Sequence, residues 1–166
     1  LLFRMVHYYA PSQVLELGTS LGITTAYLAS ANPLGQITTL EGAPAIAAKA
    51  QTHFNQLGLS NIRLVAGNFD ETLPSVLNDL GKVDMAFIDG NHRFTPTVAY
   101  FEQLLPYVGE SGFLVFDDIH WSSEMEAAWK KIQAHPQVTL TIDLFFVGIV
   151  FFRPEQKIPQ HFSIRF

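Results

Sequence analysis

Along this chain the hydrophobic positions gather into short, nearly unbroken runs set apart by longer amphipathic stretches. Val14–Gly18, Gln36–Glu41, Ile62–Ala66, Val83–Asp89 and Phe113–Asp117 read as strands; Thr24–Ala31, Pro44–Leu57, Glu71–Leu80, Thr97–Leu105 and Glu124–Ala134 read as helices. The punctuation agrees. Asn32-Pro33-Leu34-Gly35 is a turn, Pro44 opens a helix, and Gly58 follows its end. Gly81 stops the next helix, Pro106 ends another, and Ser122 or Ser123 stands at an N-cap. Strands that are apolar on both faces and alternate with helices predict a doubly wound parallel sheet with right-handed crossovers. The last two strands, Val138–Phe146 and Ile149–Arg153, have only Val147-Gly148 between them and predict an antiparallel hairpin.

Composition narrows the class. The 166 residues are 48% hydrophobic and 15% charged, which suits one globular domain, residues 1–166, with a substantial core. No apolar run is long enough to span a bilayer, and no secretory signal is visible. With no cysteine, thiolate metal sites, disulfides and a cysteine nucleophile are excluded, and a cytoplasmic setting is expected. The net charge is -5 and the basic residues are scattered, so a nucleic-acid partner is not expected and a small substrate is. The chain opens on Leu1, and residues 1–10 read as the end of a helix already under way. An N-terminal segment of the natural gene product is therefore expected to be lacking.

The candidate chemistry begins at the first strand, V-L-E-L-G-T-S-L-G, Val14 to Gly22. A buried strand running into a Gly-rich turn and a helix start lets a ligand approach the backbone and offers it unpaired N–H groups. Ser20 stands where a dinucleotide turn needs its middle Gly, and no G-K-[ST] occurs, so neither a pyrophosphate turn nor a Walker loop is indicated. Glu41 ends the second strand, where an acid can accept hydrogen bonds from ribose hydroxyls and would repel a 2′-phosphate. Asn68 or Phe69, after the third strand, could read and cover an adenine; a helix cap at Asn68 or Asp70 beside a core Phe is the plain structural alternative.

With these residues in view, E-L-G-T-S-L-G, T-L-E, F-I-D-G-N-H and G-F-L-V-F-D-D, in this order, resemble the class I S-adenosylmethionine-dependent methyltransferases. More narrowly they resemble the small-molecule O-methyltransferases of the catechol, caffeoyl-CoA and macrocin types, over about residues 12–153. The resemblance implies a Rossmann-like, mostly parallel seven-stranded sheet whose last strand inserts antiparallel between the fifth and sixth. It implies S-adenosylmethionine contacts at Glu16, Gly18, Thr19, Ser20, Gly22, Glu41, Gly42, Asn68, Phe69 and Asp89, with the Gly turn on the methionine part and Glu41 on the ribose.

Two apolar strands end in acids, Asp89 and Asp117-Asp118. In the family's strand order these strands are neighbours, about 4.8 Å apart. Three carboxylates so close are costly unless protonated, hydrogen-bonded or bound to a cation, and hard oxygen donors suit Mg²⁺. The resemblance assigns a divalent metal to Asp89, Asp117 and Asp118. The catechol and caffeoyl-CoA types place a Lys as candidate base where this chain has His92, so Asp89 and His92 are the candidate catalytic residues. Asp118 stands where those types have Asn. His120 follows the second acid pair and is a further candidate as base, substrate contact or metal neighbour. Phe94, Trp121, Tyr8 and Tyr9 are candidate substrate contacts, whereas Phe87, Phe101, Phe116 and Phe151 are expected in the core.

The first reading is therefore methyl transfer to a small hydroxylated molecule, with a homodimer compatible with the terminal hairpin and the apolar first ten residues. The same fold acting on nucleic acid or protein is the alternative, disfavoured because D-G-N-H stands where base-directed enzymes carry an N-P-P-Y-like tetrapeptide. A cofactor-binding or interaction domain without turnover is the third.

Overall fold

A computed structural model describes residues 1–165. The chain forms two compact units, Leu1–Gly81 and Lys82–Phe166. The first holds α1 (Leu2–Tyr9), β1 (Gln13–Leu17), α2 (Ile23–Ala31), β2 (Gln36–Glu41), α3 (Pro44–Gln56), β3 (Ile62–Ala66) and α4 (Phe69–Leu80). Its strands run parallel in the order β3-β2-β1, with Leu17 opposite Leu40 and Glu41 opposite Ala66. This register brings the Gly turn after β1 and the acid ending β2 to one edge. Val14, Glu16 and the leucines of β1 are all buried, which is why the strand reads as a continuous run. Leu28, Phe54 and Leu73 from the helices close over Leu15, Ile37 and Leu40 as a fully buried core.

The second unit holds β4 (Val83–Ile88), α5 (Phe94–Leu104), β5 (Val108–Asp117), α6 (Ser123–Gln133), β6 (Leu140–Asp143), β7 (Val147–Phe151) and β8 (Gln160–Ser163). Its strand order is β4-β5-β7-β6-β8. β4 and β5 are parallel; β7 inserts antiparallel between β5 and β6, as expected; β8 runs parallel to β6. Tyr100, Phe101, Phe113, Phe116 and Trp129 fill its core. Ser122 caps α6 by accepting from Met125 N–H, and Asn68 caps α4 by accepting from Asp70 N–H.

Three expectations need correction. The seven-stranded count omits β8, which has no apolar run; all four of its residues are exposed and it is held through backbone pairing and the Thr141–His161 hydrogen bond. β5 starts at Val108, five residues before Phe113: Val108 pairs with Val83 and Phe113 with Met85, so residues 109–112 form an irregularity in the ladder that no apolar run marks. The hairpin turn lies at residues 144–146 and not at Val147-Gly148.

Gly148 is a packing glycine inside β7. A Cβ there would lie 2.7 Å from Trp129 Cη2 and Cζ3 and 3.0 Å from Ile119 Cγ2. Gly148→Ala is therefore expected to lower stability by about 1–3 kcal/mol through overpacking. Chemical denaturation measures this, and an unchanged midpoint would mean that the Trp129 ring moves aside freely.

Candidate functional site

In the first unit the turn after β1 is held from beneath by hydroxyls. Thr25 and Thr39 donate to Glu16 Oε2 at 2.5 and 2.6 Å, and Thr19 and Thr39 share a hydrogen bond of 2.6 Å. Glu16 is 0% exposed. The Glu16 expected at the cofactor spends its carboxyl on tying β1 to β2 and to α2. Thr19 is buried in the same network, and the N–H groups of Gly18 and Thr19 both donate to Leu40 C=O.

Above this layer the turn is open. Ser20 is exposed in the left-handed region, φ 48°, and donates its N–H to Glu41 Oε2 at 2.8 Å. Ala43 N–H donates to Glu41 Oε1 at 2.9 Å. Both carboxylate oxygens are thus aimed by backbone donors, and each retains lone-pair capacity for a ligand hydroxyl. Gly22, φ 84°, starts α2, and a Cβ there would fall on the Phe54 ring, so backbone shape and packing both require glycine. Gly42 is exposed, with open space beside it. Asn68 is exposed but spends its side-chain oxygen on the α4 cap. Phe69, expected over an adenine, is 8% exposed and counts among the buried apolar side chains at the start of α4. Position alone could not separate a core Phe from a stacking one.

In the second unit β4 and β5 deliver Asp89, Asp117 and Asp118 to one edge. His92 Nε2 lies 3.4 Å from Asp89 Oδ1. The hydrogen bond to Asp89 raises the His92 pKa against the opposing effect of burial, and the charges of Asp89, Asp118 and Asp117 add to the rise. Burial first, then the charges of Asp89 and Asp118, push the Asp117 carboxyl up to about 6. Asp117 therefore feels both of the other acids.

The loops that carry them are fixed by hydrogen bonds that the sequence did not reveal. Asn91, φ 56°, donates to Tyr100 OH at 2.6 Å, and Phe94 N–H, at the start of α5, donates to Glu124 Oε2 of α6 at 3.1 Å. Asp118 itself has φ 54°. Left-handed non-glycine residues at Ser20, Asn91 and Asp118 mark loops whose conformation is imposed by their surroundings.

The chemistry of the donor set, carboxylate oxygens only, is of the kind a hard divalent cation takes. Among the described residues, however, no three His, Cys, Asp or Glu side chains are gathered into a formed metal-ligand group. The expected Asp89, Asp117 and Asp118 set is thus brought to one edge but is not gathered as a ligand group. His120 pairs with Asp143 and Glu126, and Trp121 is exposed. Tyr8 and Tyr9, on α1 of the first unit, are exposed and pack ring to ring.

A family model described as a methyltransferase domain matches residues 15–119, well over half of the sequence. The chain belongs to this methyltransferase family. Among curated relatives, the methyltransferase domain is 32% identical over 93 residues to an uncharacterised protein of Acanthamoeba polyphaga mimivirus, covering 54% of this chain and 42% of that one. It is 31% identical over 99 residues to a transmembrane O-methyltransferase homolog of Rattus norvegicus, covering 57% and 38%. The chain thus spans about two-fifths of the length of these relatives.

Solved structures show the same α/β methyltransferase fold. An O-methyltransferase from Bacillus cereus in complex with SAH matches with a TM-score of 0.77 at 22% identity, covering 90% of this chain and 78% of that one. A tomaymycin-synthesis O-methyltransferase from Streptomyces achromogenes in complex with SAM gives 0.78 at 19% identity, covering 92% and 78%. The Rossmann-like expectation therefore holds for this methyltransferase domain. Among its described residues no helix is long and apolar enough to cross a membrane.

Proposed function

We propose that this methyltransferase domain transfers a methyl group from S-adenosylmethionine to a hydroxyl of a small molecule, in the cytoplasm, with both halves serving one catalytic domain. The observation that carries the reading is Glu41. Its two oxygens are preset by Ser20 and Ala43 N–H groups beside a Gly turn that runs into a helix N-terminus. An acid so held suits the two ribose hydroxyls of the cofactor, while the open turn and the first N–H groups of α2 suit its methionine end. Asp89, Asp117 and Asp118 would hold a divalent cation, which when bound supplies Lewis acidity toward an acceptor oxygen.

The reaction breaks the methyl–sulfonium bond, whose electron pair stays on sulfur, and forms a methyl–oxygen bond. The hydroxyl proton leaves to the Asp89–His92 pair. The hydrogen bond from His92 to Asp89 couples the two side chains as one proton-accepting unit. Titration calorimetry with S-adenosylmethionine and S-adenosylhomocysteine tests the reading; absence of binding by either would sink it. For the cation, Mg²⁺ and Mn²⁺ are titrated into the homocysteine complex. No uptake, together with activity indifferent to chelator, defeats that part alone. The net charge of -5 favours a small acceptor over nucleic acid.

A further inference from the structure

The second unit contains a side-chain device that the reading above, on which this inference rests, does not use. His120 Nε2 donates to Asp143 Oδ2 at 2.8 Å, and its Nδ1 lies 3.6 Å from Glu126 Oε1. The other oxygen of Asp143 accepts Phe145 N–H at 2.9 Å. The Phe145 ring then stacks on the imidazole, 5.6 Å between centroids and 26° between planes. Phe145 has φ 72°, a left-handed conformation that a bulky residue keeps only when its surroundings over-determine it. No burial compensates: Phe145 is 61% exposed, Phe146 65% and Trp121 73%.

These aromatics, with Asp118 and His120, line a cavity of about 170 Å³. An apolar cavity of about 150 Å³ is enough to take benzene, so this space is sized for one ring. No Lys or Arg lines it among the described residues, while Asp118 does, and Asp143 and Glu126 stand behind His120.

We propose that His120 is a positioning residue for the methyl acceptor. Through Asp143 it holds Phe145 in its left-handed conformation as one wall of an aromatic slot beside Asp118, and the slot takes the ring of an uncharged or cationic acceptor. The acidic rim disfavours an anionic acceptor.

The test uses catechol, dopamine and protocatechuate as neutral, cationic and anionic probes, titrated into the protein with S-adenosylhomocysteine and Mg²⁺ present. Catechol and dopamine are expected to bind about tenfold or more tighter than protocatechuate. His120→Ala should weaken dopamine about fivefold or more and leave S-adenosylhomocysteine affinity within about twofold, and His120→Gln, whose amide keeps a donor for Asp143, should recover most of the loss. Phe145→Gly separates this role from a structural one. It relieves the backbone and should raise Tm, yet it removes the wall and should weaken dopamine as much as His120→Ala does. This variant carries the test if His120→Ala does not fold.

Unchanged dopamine affinity in either variant, with cofactor binding intact, overturns the proposal. So does a parent protein that binds S-adenosylhomocysteine and none of the probes, or one that prefers protocatechuate. Loss of S-adenosylhomocysteine binding by the parent itself would instead overturn the functional reading beneath it.

Discussion

Glu41→Ala weakens S-adenosylmethionine binding by about 100-fold or more, since two hydrogen bonds to a charged acceptor are lost at about 1.5–3 kcal/mol each. A second effect acts in the same direction. Ser20 and Ala43 N–H groups lose their shared acceptor, and the turn is no longer pinned to the end of β2. Glu41→Gln is expected to be nearly as damaging, because its amide NH₂ must face one of those two N–H donors. Calorimetry with S-adenosylhomocysteine reads both losses, and circular dichroism confirms the fold. An affinity within about twofold of the parent would remove Glu41 from the cofactor site and with it the main support for the reading.

Asp117→Asn is expected to move stability and activity in opposite directions. The Asp117 carboxyl is pushed up from 3.8 to about 6 by burial and by Asp89 and Asp118. A raised carboxyl pKa means that the folded state binds this proton more tightly than the unfolded chain. Stability of the metal-free protein therefore falls as pH rises from about 4 through 6, and the penalty is complete above that window. Asn carries no charge, so the metal-free variant should be more stable than the parent at pH 7–8. The gain should be about 1 kcal/mol after allowing for solvent screening at a half-exposed group, or a few degrees in Tm. Below about pH 4 the two proteins should converge. The same substitution removes a proposed cation ligand and should cut methyl transfer about 100-fold or more. A Tm at pH 8 equal to or below that of the parent, with cation binding intact, contradicts the picture of three carboxylates held in mutual repulsion.

The two substitutions probe strand-end positions, and other parts of the site were less legible. The placement of Glu41 could be read because it ends a strand next to a Gly turn, and parallel register carries both to one edge. Asp89, Asp117 and Asp118 could be read for the same reason, each closing an apolar run. Glu16 could not. It lies in the same motif as Gly18 and Gly22, yet its side chain turns beneath the turn to meet Thr25 and Thr39, and only the pairing of β1 with β2 determines that. Phe69 was ambiguous because a short segment after a strand does not reveal which way its aromatic faces; α4 turns it inward. Gly148 looked like a turn residue and is a strand residue, because the Trp129 indole, distant in sequence, needs its missing Cβ.

By itself, then, the sequence determined the alternation of buried strands and helices, the parallel start and antiparallel finish, the Gly turn, and which acids stand at strand ends. These are encoded by local periodicity, by glycine conformation and by strand termini, all within a few residues of one another. Only the tertiary structure decided which carboxyl is buried and which is presented, where the last hairpin turns, and that His120, Asp143 and Phe145 form one unit. Several of the deciding contacts join residues more than twenty positions apart, Glu16 with Thr39 and His120 with Asp143 and Phe145. No spacing along the chain specifies them until β6 and β7 have paired beside β5.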